Sequence, residues 1–200
     1  MSALAVVSLA ALVAVVGASL AAREGQKSAE PIVLSEPKRR AAADAARTPA
    51  RRQMPIPVRI SIPRIGVDAR VVALGLNRDR TVEVPKNFAD TGWFRPGPEP
   101  GERGAAVILG HLDSRRGPAV FFRLHLLRAG DLIKVRLRDG STVRFVAKAM
   151  ERVKKNRFPT KRVYVHSGPP SLRLVTCAGP LNRSTGHHAD NYIVYASMLR

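Results

Sequence analysis

The chain has 200 residues, enough for one well-cored domain of about 150 residues with appended segments but not comfortably for two domains. Its 34 Lys+Arg against 15 Asp+Glu give a formal net charge of +19, which favours an anionic neighbour (lipid headgroups, an acidic wall polymer or nucleic acid) without choosing among them. The single cysteine excludes an internal disulfide and argues against a cysteine-based zinc site.

In chain order, Ala3 to Ala22 is uncharged and rich in Ala, Val and Leu, the length that spans a hydrocarbon core of ~30 Å as a helix. We read 1–22 as a single-pass signal-anchor rather than a cleaved signal peptide. Its apolar run exceeds the usual signal-peptide core, although Ala18-Ser19-Leu20-Ala21-Ala22 offers small residues for cleavage. The nearest cations, Arg23 and Lys27, lie on its C-terminal side, and by the positive-inside tendency they argue for a cytoplasmic domain. An extracytoplasmic placement at a Gram-positive-type cell surface therefore rests on the chemistry of the domain alone.

Residues 23–54 are rich in Ala, Arg, Glu and Pro and show little apolar periodicity, which reads as a solvated linker. As a flexible coil it reaches roughly 30 Å, and its prolines extend it further. It carries eight basic and four acidic residues, so about +15 stays with the domain, 55–200.

From Met54 the pattern changes to short alternating runs. Val58, Ile60 and Ile62 predict a first strand, and Ala105 to Leu109 a short apolar one ending at Gly110. Ile133, Val135 and Leu137 alternate with Lys134, Arg136 and Arg138; Asp139-Gly140 then predicts a two-residue hairpin turn into Val143, Phe145 and Ala147. Leu172, Leu174 and Thr176 alternate toward Cys177, and Tyr192 to Ser197 predict a last strand. Six or more strands with turn signals between them imply an all-β, closed or nearly closed barrel that leaves no open edge. Pro118 to Leu127 is the best helix candidate, with Pro near its first turn and Gly130 just beyond its end.

Two strand ends carry candidate chemistry. Cys177 precedes Ala178-Gly179-Pro180, a strand-to-loop exit that would set the thiol at a barrel rim; an isolated cysteine is otherwise a small buried hydrophobe. Gly110-His111-Leu112-Asp113-Ser114 marks another strand end, where imidazole is suited to proton transfer. Cysteine acyl transfer needs a thiolate, a proton donor for the leaving amine and a holder for the oxyanion. His111 and Cys177 supply the first two if the barrel brings their strands together. Asp113 either orients His111 or faces water. His187 and His188 read as solvated turn residues, His125 and His166 as packing and loop residues. Adjacent ring nitrogens seldom converge on one ion, so no metal or other cofactor is expected.

The stretches VILGHLDSRRGPAVFFRL and LRLVTCAGPLNRSTGHHADNYIVYA resemble the two signature blocks of sortases, most closely the actinobacterial class F or the neighbouring class E. Arg64-Ile65-Gly66-Val67-Asp68 and Trp93-Phe94 are also similar, so the likeness covers about residues 56 to 198. It implies a sortase-like eight-stranded barrel with one or two short helices, and a transpeptidase that cleaves a Leu-Pro-x-Thr-Gly-like sorting signal on a secreted protein. The acyl part is held as a thioester and passed to an amine of a peptidoglycan precursor or pilin. Carried over, Cys177 is the acyl carrier, His111 the acid/base, and Thr176 a hydrogen-bonding neighbour of the scissile carbonyl. Leu112, Val175 and Ile193 are placed by position to form an apolar substrate groove. The departure is the family's arginine on the last strand: counting back from Val194-Tyr195-Ala196 puts Asn191 there, so the oxyanion role falls to Asn191, to Arg183 in the loop after the cysteine, or to a backbone amide. A monomer is expected. The competing readings are a hydrolase using the same thioester, an inactive wall-binding relative, and a basic barrel that binds nucleic acid; ten aromatics and a membrane anchor argue against the last.

Overall fold

The computed structural model describes residues 54–182, 184 and 186–200. The expected anchor over 1–22, the linker over 23–54 apart from Met54, and Arg183 lie outside the described residues. Among the described residues no helix is long and apolar enough to cross a membrane.

Ten strands follow one another: β1 (Pro57–Ile62), β2 (Val67–Leu74), β3 (Thr91–Phe94), β4 (Ala105–Gly110), β5 (Asp113–Ser114), β6 (Gly117–Pro118), β7 (Leu132–Leu137), β8 (Thr142–Lys154), β9 (Ser171–Asn182) and β10 (His187–Met198). Eight close into a barrel in the order β1-β2-β3-β4-β9-β10-β8-β7, while β5 and β6 form a small separate ribbon. Alternation builds the interior, because successive side chains on a strand point to opposite faces. Ile60 and Ile62, Ile133 and Val135, Phe145 and Ala147, Leu172 and Leu174, Val194 and Ala196 all converge in one core.

The central stretches of β4, β9 and β10 are buried on both faces. Val107, Val175 and Ile193, one each from β4, β9 and β10, pack outside the barrel with Phe94 and Val163. Val163 ends the single-turn helix α1 (Thr160–Val163), which with Phe158 and Tyr164 caps that outer face. Double burial explains why Ala105 to Ile108 is an unbroken apolar run rather than an alternating one.

Two local expectations are corrected. Pro118 to Leu127 does not form an α-helix; it begins in β6 and continues as turns into the 3-10 segment Leu124–Leu126. Its amides reach back three residues (Phe122 to Ala119, Leu124 to Phe121, Leu127 to Leu124), so the buried side chains Phe121, Leu124 and Leu127 recur on a three-residue period. The β7–β8 hairpin turns through three residues, Arg138 to Gly140, closed by the Leu137 amide donating to Ser141 at 2.8 Å. A two-residue type I′ turn needs positive φ at both central positions, but here Gly140 adopts φ 87° and Asp139 does not. Asp139 instead accepts hydrogen bonds from the Ser141 amide and hydroxyl.

Candidate active site

Strand β4 runs parallel to β9, in register from Ala105 opposite Ser171 to Leu109 opposite Val175. Two residues beyond that last pair lie His111 and Cys177. Neighbouring strands are ~4.8 Å apart, so the pairing delivers both residues to one stretch of the rim. β4 stops at Gly110, but β9 does not stop at Cys177: it runs on to Asn182 as a two-stranded ribbon with β10, Leu181 facing His188 and Asn182 facing His187. The expected strand exit is thus the point where β9 leaves the barrel wall, and the half-buried thiol sits there without β4 beside it.

Gly110 makes room for what holds His111. A Cβ there would lie 2.5 Å from the buried Phe121 ring, whose amide donates to the His111 carbonyl at 2.9 Å. The imidazole rests on Phe88, ring centroids 4.4 Å apart. Its Nε2 lies 2.7 Å from the Pro85 carbonyl. A carbonyl can only accept, so Nε2 carries hydrogen and Nδ1 is the basic nitrogen. No hydrogen bond joins His111 to Cys177; the ring is parked against Pro85.

Cys177 opens onto a cavity of about 310 Å³, which Leu112, Thr176, Gly179, Tyr192 and Arg152 also line. Thr176 is buried, and its hydroxyl has no hydrogen-bond partner among the described residues. Asn191 faces Cys177 directly across β9 and β10, and its amide donates to the Thr176 carbonyl at 3.2 Å. Of the expected groove residues, Leu112 lines this cavity. Val175 and Ile193 instead lie 4% and 0% exposed in the outer apolar cluster, beneath the thiol strand, and His111 is outside the cavity lining as well.

Three contributors were not singled out from sequence. Phe121 buttresses the histidine strand end. Arg152, on β8 opposite Tyr192 of β10, reaches the thiol cavity, its Nε donating to Asp190 at 2.6 Å. His188, expected to be a solvated turn residue, is nearly buried: its Nδ1 lies 2.8 Å from the Gly179 carbonyl and its Nε2 3.0 Å from Asp113. Asp113 therefore faces His188 rather than His111, and ties the β9–β10 ribbon to β5. Nothing in the spacing places β8 next to β10, so the sequence carries no signal for Arg152. Among the described residues no group of three or more His, Cys, Asp or Glu could hold a metal ion.

A family model, the Sortase domain, matches residues 60–199. No curated protein matches the chain. Among solved structures, a lid mutant of sortase A from Corynebacterium diphtheriae aligns with TM-score 0.57 and 21% identity over 76% of this chain and 74% of that one. A pilus-related sortase C of Group B Streptococcus aligns with TM-score 0.56 and 18% identity over 72% and 68%. A sortase D5 transpeptidase of Clostridium perfringens aligns with TM-score 0.54 and 22% identity over 84% and 91%. At these identities the structural likeness is one of fold.

Proposed function

The chain belongs to the sortase family, and from that premise we propose that it is a membrane-tethered cysteine transpeptidase of class F, or the neighbouring class E, acting outside the cytoplasm. The observation that carries this reading is the parallel β4–β9 register, which brings a histidine and the only thiol of the chain to one stretch of the barrel rim, with a cavity opening beside the thiol.

The chemistry follows from those positions. Cys177 gives its thiol proton to His111, and the sulfur attacks the carbonyl carbon of a threonine in a Leu-Pro-x-Thr-Gly-like signal, giving a tetrahedral oxyanion. Collapse breaks the C–N bond, His111 delivers a proton to the departing glycine amine, and the acyl part stays on sulfur as a thioester. An amine of a peptidoglycan precursor or a pilin then attacks the thioester, His111 takes its proton, and the thiol leaves. For His111 to serve, its ring must leave Pro85 and turn to the thiol as the peptide docks; catalytic hydrogen bonds often tighten only in the substrate complex. The largely apolar cavity beside Cys177 suits the leucine and proline of the signal.

The test is incubation of the full chain with a panel of Leu-Pro-x-Thr-Gly-type peptides and an amine, products followed by mass spectrometry. The expected result is an amide joining the Leu-Pro-x-Thr part to the amine in the wild type and none in Cys177→Ala. Formation of free acid alone in excess amine identifies a hydrolase, and product formation by Cys177→Ala removes the proposal.

A further inference from the structure

We infer that Arg152, a residue of β8 rather than of the last strand, supplies the positive charge that stabilises the oxyanion formed at Cys177. The inference rests on the reading of Cys177 as the acyl carrier.

Three observations carry it. Arg152 and Cys177 line the same cavity of about 310 Å³. The residue opposite the thiol supplies no charge: Asn191 is neutral, and its amide is hydrogen-bonded to the Thr176 carbonyl. The guanidinium is also held in place. The Arg152 side chain is 54% exposed, but its Nε donates to Asp190, whose side chain is 13% exposed, which leaves the two terminal nitrogens to donate elsewhere.

The backbone is shaped to admit it. Asp190 pairs across the ribbon with Ala178, one residue after the thiol. Gly179 takes φ 79°, and a Cβ there would stand 2.6 Å from the Asp190 carboxylate and 2.8 Å from Arg152 Nη2. Glycine is thus the residue that lets the charged pair close over the chain beside Cys177, both by its left-handed conformation and by its missing side chain. A donor held before the reaction by a carboxylate needs no reorganisation when charge develops, which is the arrangement that stabilises transition states most.

The experiment compares two reactions of the same sulfur in the full chain. Acylation by p-nitrophenyl acetate passes through a tetrahedral oxyanion; alkylation by iodoacetamide does not. Any change in the thiol itself, or any loosening of the fold, alters both rates, whereas loss of an oxyanion donor alters acylation alone. Arg152→Ala is expected to lower the ratio of acylation to alkylation by about 10²-fold, with partial recovery on adding guanidinium to the buffer. Arg152→Gln, which keeps the length and loses the charge, serves if the alanine variant does not fold, with the same direction expected. An unchanged ratio in these variants while the wild type is acylated at Cys177 overturns the role of Arg152 and leaves the transpeptidase reading intact. A fall in the ratio for Asn191→Ala or Arg183→Ala but not for Arg152→Ala gives the role to those residues instead. A wild type that is alkylated but never acylated at Cys177 removes the underlying reading and this inference with it.

Discussion

Replacing Gly110 by alanine isolates the packing that places the candidate base. The new methyl would meet three atoms of the Phe121 ring at 2.5, 2.8 and 2.9 Å, and Phe121 is fully buried. Gly110 is not among the glycines with positive φ, so its backbone accepts alanine and the penalty is steric. Overpacking of this kind costs about 1–3 kcal/mol, offset by roughly 0.5–1 kcal/mol for replacing glycine in a strand, so the net loss falls within about 0–2.5 kcal/mol and centres near 1 kcal/mol. In a domain of this size the central value lowers Tm by about 2–4 °C. Turnover should fall further than stability, because a shift of Phe121 carries its backbone amide, which donates to the His111 carbonyl, and a misplacement of ~1 Å can cost ~10²-fold. Calorimetry and the peptide-plus-amine assay read the two effects. A double-mutant cycle with Phe121→Leu tests the cause: the smaller side chain should relieve the clash, giving favourable coupling of about 1 kcal/mol. A Gly110→Ala variant with wild-type Tm and turnover, or additivity within about 0.5 kcal/mol, refutes the argument.

Tyr195 carries a pH prediction. Burial, and then its hydrogen bond to Glu151, push its phenol up to about 12. A raised folded value favours the protonated form, so this contribution is complete below about pH 10 and is lost as pH climbs from about 10 through 12. The urea midpoint of the wild type should therefore fall more steeply over that range than that of Tyr195→Phe; parallel curves would contradict it. Ile193→Ala, which empties a fully buried site in the outer cluster, should cost about 2–5 kcal/mol by denaturant unfolding, and a loss below 1 kcal/mol would show that the cluster is loose. His188→Ala frees the ribbon from β5 and should cost about 1 kcal/mol and raise amide exchange in 178–190 ahead of the barrel strands; exchange unchanged there would mean that His188 does not fasten it. The Arg59–Asp68 pair is exposed on both sides, so Arg59→Ala should leave Tm unchanged within error, and a measurable drop would show that surface pairing matters more than its exposure suggests.

Which parts of the molecule could be read from its residues depends on the range of the physics. Strands facing the barrel interior were legible, since Ile60 and Ile62, Ile133 and Val135, and Leu172 and Leu174 alternate with polar partners as a half-buried strand must. Pro118 to Leu127 misled because a three-residue 3-10 spacing of Phe121, Leu124 and Leu127 looks helical over one short window. The placing of Cys177 and His111 rested on family likeness, because the parallel β4–β9 pairing joins segments more than sixty residues apart. The same limit hid Arg152, whose route to the thiol runs from β8 across β10, and His188, whose turn-like surroundings give no sign of Asp113 reaching it from β5.

Trapping the acyl intermediate tests the central claim most directly. The full chain is mixed with a Leu-Pro-x-Thr-Gly-type peptide without an amine, quenched in acid and mapped by mass spectrometry. A Leu-Pro-x-Thr adduct on Cys177, released by hydroxylamine and markedly reduced in His111→Ala, is the predicted result. Turnover of the peptide with Cys177 unmodified, or an adduct on a different side chain, would contradict it.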